Sequence, residues 1–421
     1  MRLLAVALIL CIAAIVSCQK ASSPTDPTGN TGDAASVTIA PADTFIQRGG
    51  SVRFRTAVLN RGGQVIDGIQ PSLRSSDNTI LTVDQSGTGH TGSRSGTAVV
   101  TASIQRLTGH DTLLLSSTAT VVATDTATHT PGDTSILAHL PLAGGPLGVV
   151  VASAGVGFVT LDQVAQVARL DLAAPYQTAA ISVGDVPSYI AATSGGAQIF
   201  VANQWSDNVG VIDPISNTQS TMIPVMGDPL PVAVSVHDNV LFTTTNANNL
   251  YKIDIATRTV SGSLALPATS HHLLVHPNDT LVYVATRDGG SVLEVNWRTM
   301  TVARTFVLGN RPQGMALSPD RQELYVANEL GNVVHVINLT TGSVAANIPL
   351  AGGGEGLSLN VDGSKLYVGL VFSGSVQVID RATRAVLKTI NTGGRPREIA
   401  VDAPRQRMIV VNEAGWVDFL R

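Results

Sequence analysis

The chain has almost no cysteine. Only Cys11 and Cys18 occur in 421 residues, both at the extreme N-terminus. The remainder can form no disulfide and no thiolate metal site, and no C-x-x-C-H is present to attach a haem. Aromatics make up only 4% and charged residues 13%. A net charge of -4 without any basic run lacks the electrostatic footprint of a nucleic-acid binder. No glycine-rich loop follows a strand and opens a helix, so nucleotide binding has no support. No G-x-S-x-G nucleophile elbow occurs either. The one long apolar run, residues 3–16, is too short to span a bilayer comfortably.

What is present is glycine, with 40 residues, and abundant Thr, Ser and Val. That composition suits an all-β chain with many turns, long enough for two or three domains. Residues 1–17 read as a signal peptide: Arg2 supplies the positive start and an apolar core follows. They run into Ile15-Val16-Ser17-Cys18, which resembles the bacterial lipobox. The resemblance implies lipidation of Cys18, export, and anchoring in the cell envelope, with Gln19 pointing to the outer membrane. Acyl chains add roughly 0.8 kcal/mol per buried CH₂. Residues 18–35, rich in Ser, Thr, Pro, Gly and Asp, are expected to form a flexible tether.

Residues 36–124 alternate apolar and polar positions as half-buried strands do, as in Val52-Arg53-Phe54-Arg55-Thr56-Ala57-Val58. The order Ser75-Ser76-Asp77-Asn78, Val83-Asp84, then Gly96-Thr97-Ala98-Val99-Val100-Thr101-Ala102 resembles the group-2 bacterial immunoglobulin-like domain, with Leu73 where that family usually has Trp. The resemblance implies a two-sheet sandwich of about seven strands, acting as a spacer. Residues 125–134 form a second polar linker.

From residue 135 to 421 one unit repeats at a period of about 40 residues, with four short strands per unit, as in a propeller blade. Seven Gly/Pro-rich starts recur, among them Gly184-Asp185-Val186-Pro187, Gly309-Asn310-Arg311-Pro312 and Gly394-Arg395-Pro396. Second strands such as Leu324-Tyr325-Val326-Ala327-Asn328 and third strands such as Val336-Ile337-Asn338 resemble the YVTN-type seven-bladed β-propeller family. Leu161 and Leu370 depart from its Asn position. The last repeat lacks a fourth strand, and residues 135–142 read like the fourth strand at 343–350. They are expected to pair with the last blade and close the ring, leaving no open edge.

Leu147, Ser188, Leu230, His271, Gln313, Glu355 and Arg397 occupy equivalent positions, expected just before the inner strands at the channel mouth. With Tyr189, His272 and Glu398, the polar arc from His271 to Arg397 is the candidate binding site. In an open mouth the Glu355–Arg397 pair would be a surface ion pair worth under about 1 kcal/mol. No convergent catalytic set stands out, and Glu355 and Glu398 are the only carboxylates expected near the mouth. Asn203, Asn328 and Asn412 could join Glu355 around a hard cation such as calcium, yet they more simply cap strand ends; no cofactor is expected. His271 and His272 point to opposite faces of a strand and cannot chelate one ion, and His276 lies in a turn. Trp205, Trp297 and Trp416 are too few for the tryptophan-rich motifs of quinone-dependent propeller dehydrogenases.

Two functions follow. The first is a monomeric, lipid-anchored binding or scaffold protein, periplasmic or at the cell surface, presenting its propeller to a protein, peptide or glycan. The second draws on seven-bladed relatives that are lactonases or lyases, with Glu355 as base or metal ligand and His271 or His272 as acid/base.

Overall fold

The computed structural model describes residues 34–421, apart from 41–42, 48–49, 62–63, 93, 95, 109–110, 125–134 and 154. The expected signal peptide, Cys18, most of the expected tether and the expected linker at 125–134 lie outside the described residues.

The first unit begins with the strand Ala34–Ala40, antiparallel to Arg55–Asn60. Nine strands, not about seven, are described between Ala34 and Thr124. The difference lies at its end. Gly96–Thr108 continues past the expected final strand and turns back as Asp111–Thr124, a long hairpin. Alternation carries Val37, Ile39, Val52, Val58, Leu81, Ala98, Val100 and Val121 into one buried core, with Leu73 packed against it.

Between Ile136 and Leu420 the described residues form seven four-stranded sheets. The fifth is representative: Pro312–Leu317, Glu323–Asn328, Val333–Asn338 and Ser343–Pro349, each antiparallel to the next. In the second to sixth sheets the third strand ends on an Asp or Asn that folds the turn into the fourth. Asn338 Oδ1 accepts the Thr340 and Thr341 amides at 2.9 Å, and Asp380 Oδ1 accepts that of Thr383 at 2.7 Å.

The innermost strands of neighbouring sheets touch, and Pro396–Asp402 touches Pro146–Ser153, so the sheets form a circle. Side chains from adjacent sheets share cores. Tyr325, Val336 and Ile348 of the fifth sheet pack with Leu366, Val368 and Ile379 of the sixth. Each such buried aliphatic side chain contributes about 1.5–3 kcal/mol relative to exposure.

The seventh sheet takes its outer strand from the other end of the chain. Ile136–Pro141 lies antiparallel to Trp416–Leu420, with His139 opposite Asp418 and Pro141 opposite Trp416. Asp418 is fully buried. It accepts from Trp416 Nε1 at 3.0 Å and sits 2.8 Å from His139 Nδ1. The Arg421 amide then bonds the Ser135 carbonyl at 2.9 Å.

Candidate functional site

The seven equivalent residues gather around one cavity of about 840 Å³ at one end of the ring: Leu147, Ser188, Leu230, His271, Gln313, Glu355 and Arg397 all line it, as does Tyr189. Each is the second residue of an innermost strand rather than a loop residue before it. Proline explains the offset. Pro146, Pro187, Pro229, Pro312 and Pro396 open their strands, where the missing N–H costs nothing.

One residue deeper, the ring narrows. Gly314 and Gly356 hold the corresponding positions in the fifth and sixth sheets. A Cβ on either would lie 2.3 and 2.0 Å from the carbonyl oxygens of Glu355 and Arg397 on the next strand. The strands approach so closely only because these positions carry no side chain. Across the space stand His272 and Glu398, with Nε2 and Oε1 3.8 Å apart. His276, by contrast, closes a turn at the other end of its strand, accepting the Asn278 amide at 3.0 Å.

The Glu355–Arg397 pair is not on the surface. The residues are 6% and 8% exposed. Arg397 Nη1 donates to both Glu355 oxygens at 2.6 and 2.7 Å, while Nε and Nη2 each reach Glu413 Oε2 at 2.6 Å. One guanidinium thus bridges two buried carboxylates. The lower worth of a surface pair does not apply: removing one partner strands a buried charge. Burial pushes the Glu355 carboxyl up, against the pull of Arg397 and Arg395. It does the same to the Tyr189 phenol, reinforced by the charges of Glu355 and Glu398.

A second cluster lies beside the first. Gln313 Nε2 donates to Glu329 Oε2 at 2.9 Å, and Arg287 reaches the same oxygen through Nη2 at 3.3 Å and Nε at 3.4 Å. Arg311 Nη1 is 3.8 Å from Glu329 Oε1. The mouth therefore holds more carboxylates than Glu355 and Glu398. Glu329, Glu413, Asp162 and Arg287 each stand one residue beyond the end of a second strand. The repeat itself could have found them: the position after Leu161, Thr286, Asn328 and Asn412 is as periodic as the strand end it follows.

Asn328 and Asn412 spend their amides on the backbone. Asn328 Oδ1 accepts from Arg311 and Gly331 and its Nδ2 donates to Gly309; Asn412 Oδ1 accepts from Arg395 and its Nδ2 donates to Gly393. These bonds tie each strand end to the preceding Gly-rich turn. Asn203 Nδ2 donates to Asn208 Oδ1 at 2.8 Å. Among the described residues, no group of three or more His, Cys, Asp or Glu side chains is arranged to hold a metal ion.

The first unit borders the same cavity through 35–39, 59–61 and 117–118. Arg55 Nη1 meets Asp185 Oδ1 at 2.7 Å between the two units. The mouth is roofed rather than open to solvent on all sides.

No protein-family profile matches the sequence, and no curated protein does. Solved structures do match. A chain from Kuenenia stuttgartiensis hydrazine synthase is 17% identical with a TM-score of 0.61, over 70% of this chain and 99% of that one. A chain in the mitotic checkpoint complex is 14% identical at 0.62, over 70% and 93%. The WD40 β-propeller domain of Doa1 is 11% identical at 0.60, over 68% and 96%. At such identities the likeness is one of fold, and with the circle of four-stranded sheets it identifies a β-propeller in this chain.

Proposed function

We propose that this chain is a binding and scaffold protein of the bacterial cell envelope, anchored through a lipidated Cys18. In this reading an immunoglobulin-like unit joins the anchor to a seven-bladed YVTN-type propeller whose mouth is the recognition surface. The observation that carries it is the state of the mouth's charged groups. Glu355 and Glu413 are engaged by Arg397, and Glu329 by Arg287 and Gln313. A carboxylate held by a guanidinium at 2.6 Å is poorly placed to act as a general base, whereas a rigid, neutralised wall suits recognition. One similar structure was solved inside a checkpoint complex, itself a protein assembly, which favours a protein or peptide ligand.

The test uses the full-length chain. The double variant Glu355→Ala/Arg397→Ala removes both members of the buried pair together and leaves Glu413 to Arg395, whose Nη1 is 3.6 Å from its Oε2. Partners recovered from envelope extracts by the natural protein should be lost by this variant. Undiminished recovery would remove the mouth as the binding surface. Separately, Cys18→Ser should abolish incorporation of a labelled fatty acid and shift the protein to the soluble fraction.

A further inference from the structure

The cations of the mouth are committed to its glutamates, but one oxygen of a further acid meets no donor. Asp162 lines the cavity, is only 8% exposed, and follows the second strand of the first sheet. Its Oδ1 is buried and meets no hydrogen-bond donor. A buried acceptor left unmade costs about 1–3 kcal/mol, more when charged, so it calls for an external donor. Nearby charge sharpens the demand. Glu413 lies at the equivalent position of the adjacent seventh sheet, and its Oε1 is also buried without a partner. Burial and the Glu413 charge push the Asp162 carboxyl well up, only partly offset by Arg397 and by the backbone amides of Gln163 and Asp162. Asp228, also on the cavity wall, is pushed up to about 6 by burial and then by Asp207. A cation placed beside Asp162 would offset both causes and let its carboxylate form. Tyr189 and Trp205 add aromatic faces to the same cavity, and such faces attract cations.

We propose that the mouth cavity takes a cationic nitrogen head group, a primary ammonium or a guanidinium, seated on the carboxylate of Asp162. The inference rests on the mouth being the recognition surface and adds the chemistry that it recognises. A lysine or arginine side chain of a peptide and a free polyamine share this head group. Gly145 shapes the seat: a Cβ there would lie 2.1 Å from Asp162 Oδ1.

The experiment is calorimetric titration of the full-length, detergent-solubilised chain with Nα-acetyl-lysine methylamide, its arginine counterpart, spermidine, and the neutral glutamine and acidic glutamate analogues. Basic probes should bind and the glutamine and glutamate analogues should not. Asp162→Asn, which keeps the shape and loses the charge, should weaken the basic probes at least tenfold. Binding by spermidine but not by the amino-acid amides points to a polyamine source; the reverse points to a peptide. Equal binding of the glutamate analogue, absence of binding by every basic probe at 10 mM, or an Asp162→Asn affinity within twofold would overturn the proposal. Should that variant not fold, selectivity in the natural protein decides alone. Loss of partner by Glu355→Ala/Arg397→Ala without basic-probe binding would sink this chemistry but keep the binding platform. Probe binding with partner recovery intact would do the opposite.

Discussion

Arg397 is the residue on which the mouth's electrostatics turn, because its guanidinium holds Glu355 and Glu413 at once. Replacing it with Ala alone should destabilise the chain by about 3–5 kcal/mol, since two buried carboxylates lose their counter-ion. Removing Glu355 together with it should cost less than the single change. Denaturant melts of the two variants check the order. Asp228 behaves in the opposite sense. Its carboxyl titrates near about 6 in the folded chain, above an unfolded aspartate. Protonation therefore favours the fold. The stability it contributes is present at low pH and falls as pH rises from about 4 to about 6, by about 3 kcal/mol in all. Asp228→Asn should raise the melting temperature at pH 7.5 and flatten the profile across that window; an unchanged profile would show that Asp228 does not titrate there.

At the scale of the element, the outer strand of the seventh sheet is the exposed joint. Ile136–Pro141 is held by its ladder to Trp416–Leu420 and by the His139–Asp418–Trp416 contacts. His139→Ala should cost about 1–3 kcal/mol by leaving Asp418 underpartnered in the interior. Deleting residues 135–141 exposes the edge of Trp416–Leu420, and light scattering should report aggregation that the full-length chain does not show. The strands of the repeats were readable because Gly/Pro turns and period-two alternation recur seven times over. The arc at 271, 313, 355 and 397 was readable for the same reason. Asp162, Arg287, Glu329 and Glu413 were not legible because the strand pattern ends one residue earlier, at Leu161, Thr286, Asn328 and Asn412, and the next position varies from Asp162 to Val371. The depth of the Glu355–Arg397 pair was not legible either, since it comes from partners on other strands, Glu413 among them. The long hairpin from Gly96 to Thr124 was hidden by Ser and Thr, which blur the alternation of its second half.

Across the whole molecule, the two units meet lightly. Among the described residues, no strand of Ala34–Thr124 makes an extensive contact with one of Ile136–Leu420. The Arg55–Asp185 bridge has side chains 37% and 53% exposed. Such a pair contributes about 0–1 kcal/mol, so Arg55→Ala should leave overall stability nearly unchanged. Calorimetry should resolve two transitions, one per unit, and a single cooperative peak would contradict that independence.

The strand that completes the last sheet is made early, and its partner is made last. During synthesis, residues 136–141 emerge nearly the whole propeller's length ahead of Trp416–Leu420. They must therefore wait, without their partner strand, until residues 416–420 have been made. A premature stop anywhere in the last repeat would leave an open arc rather than a slightly shorter wheel, and quality control would meet that product as an unfinished chain.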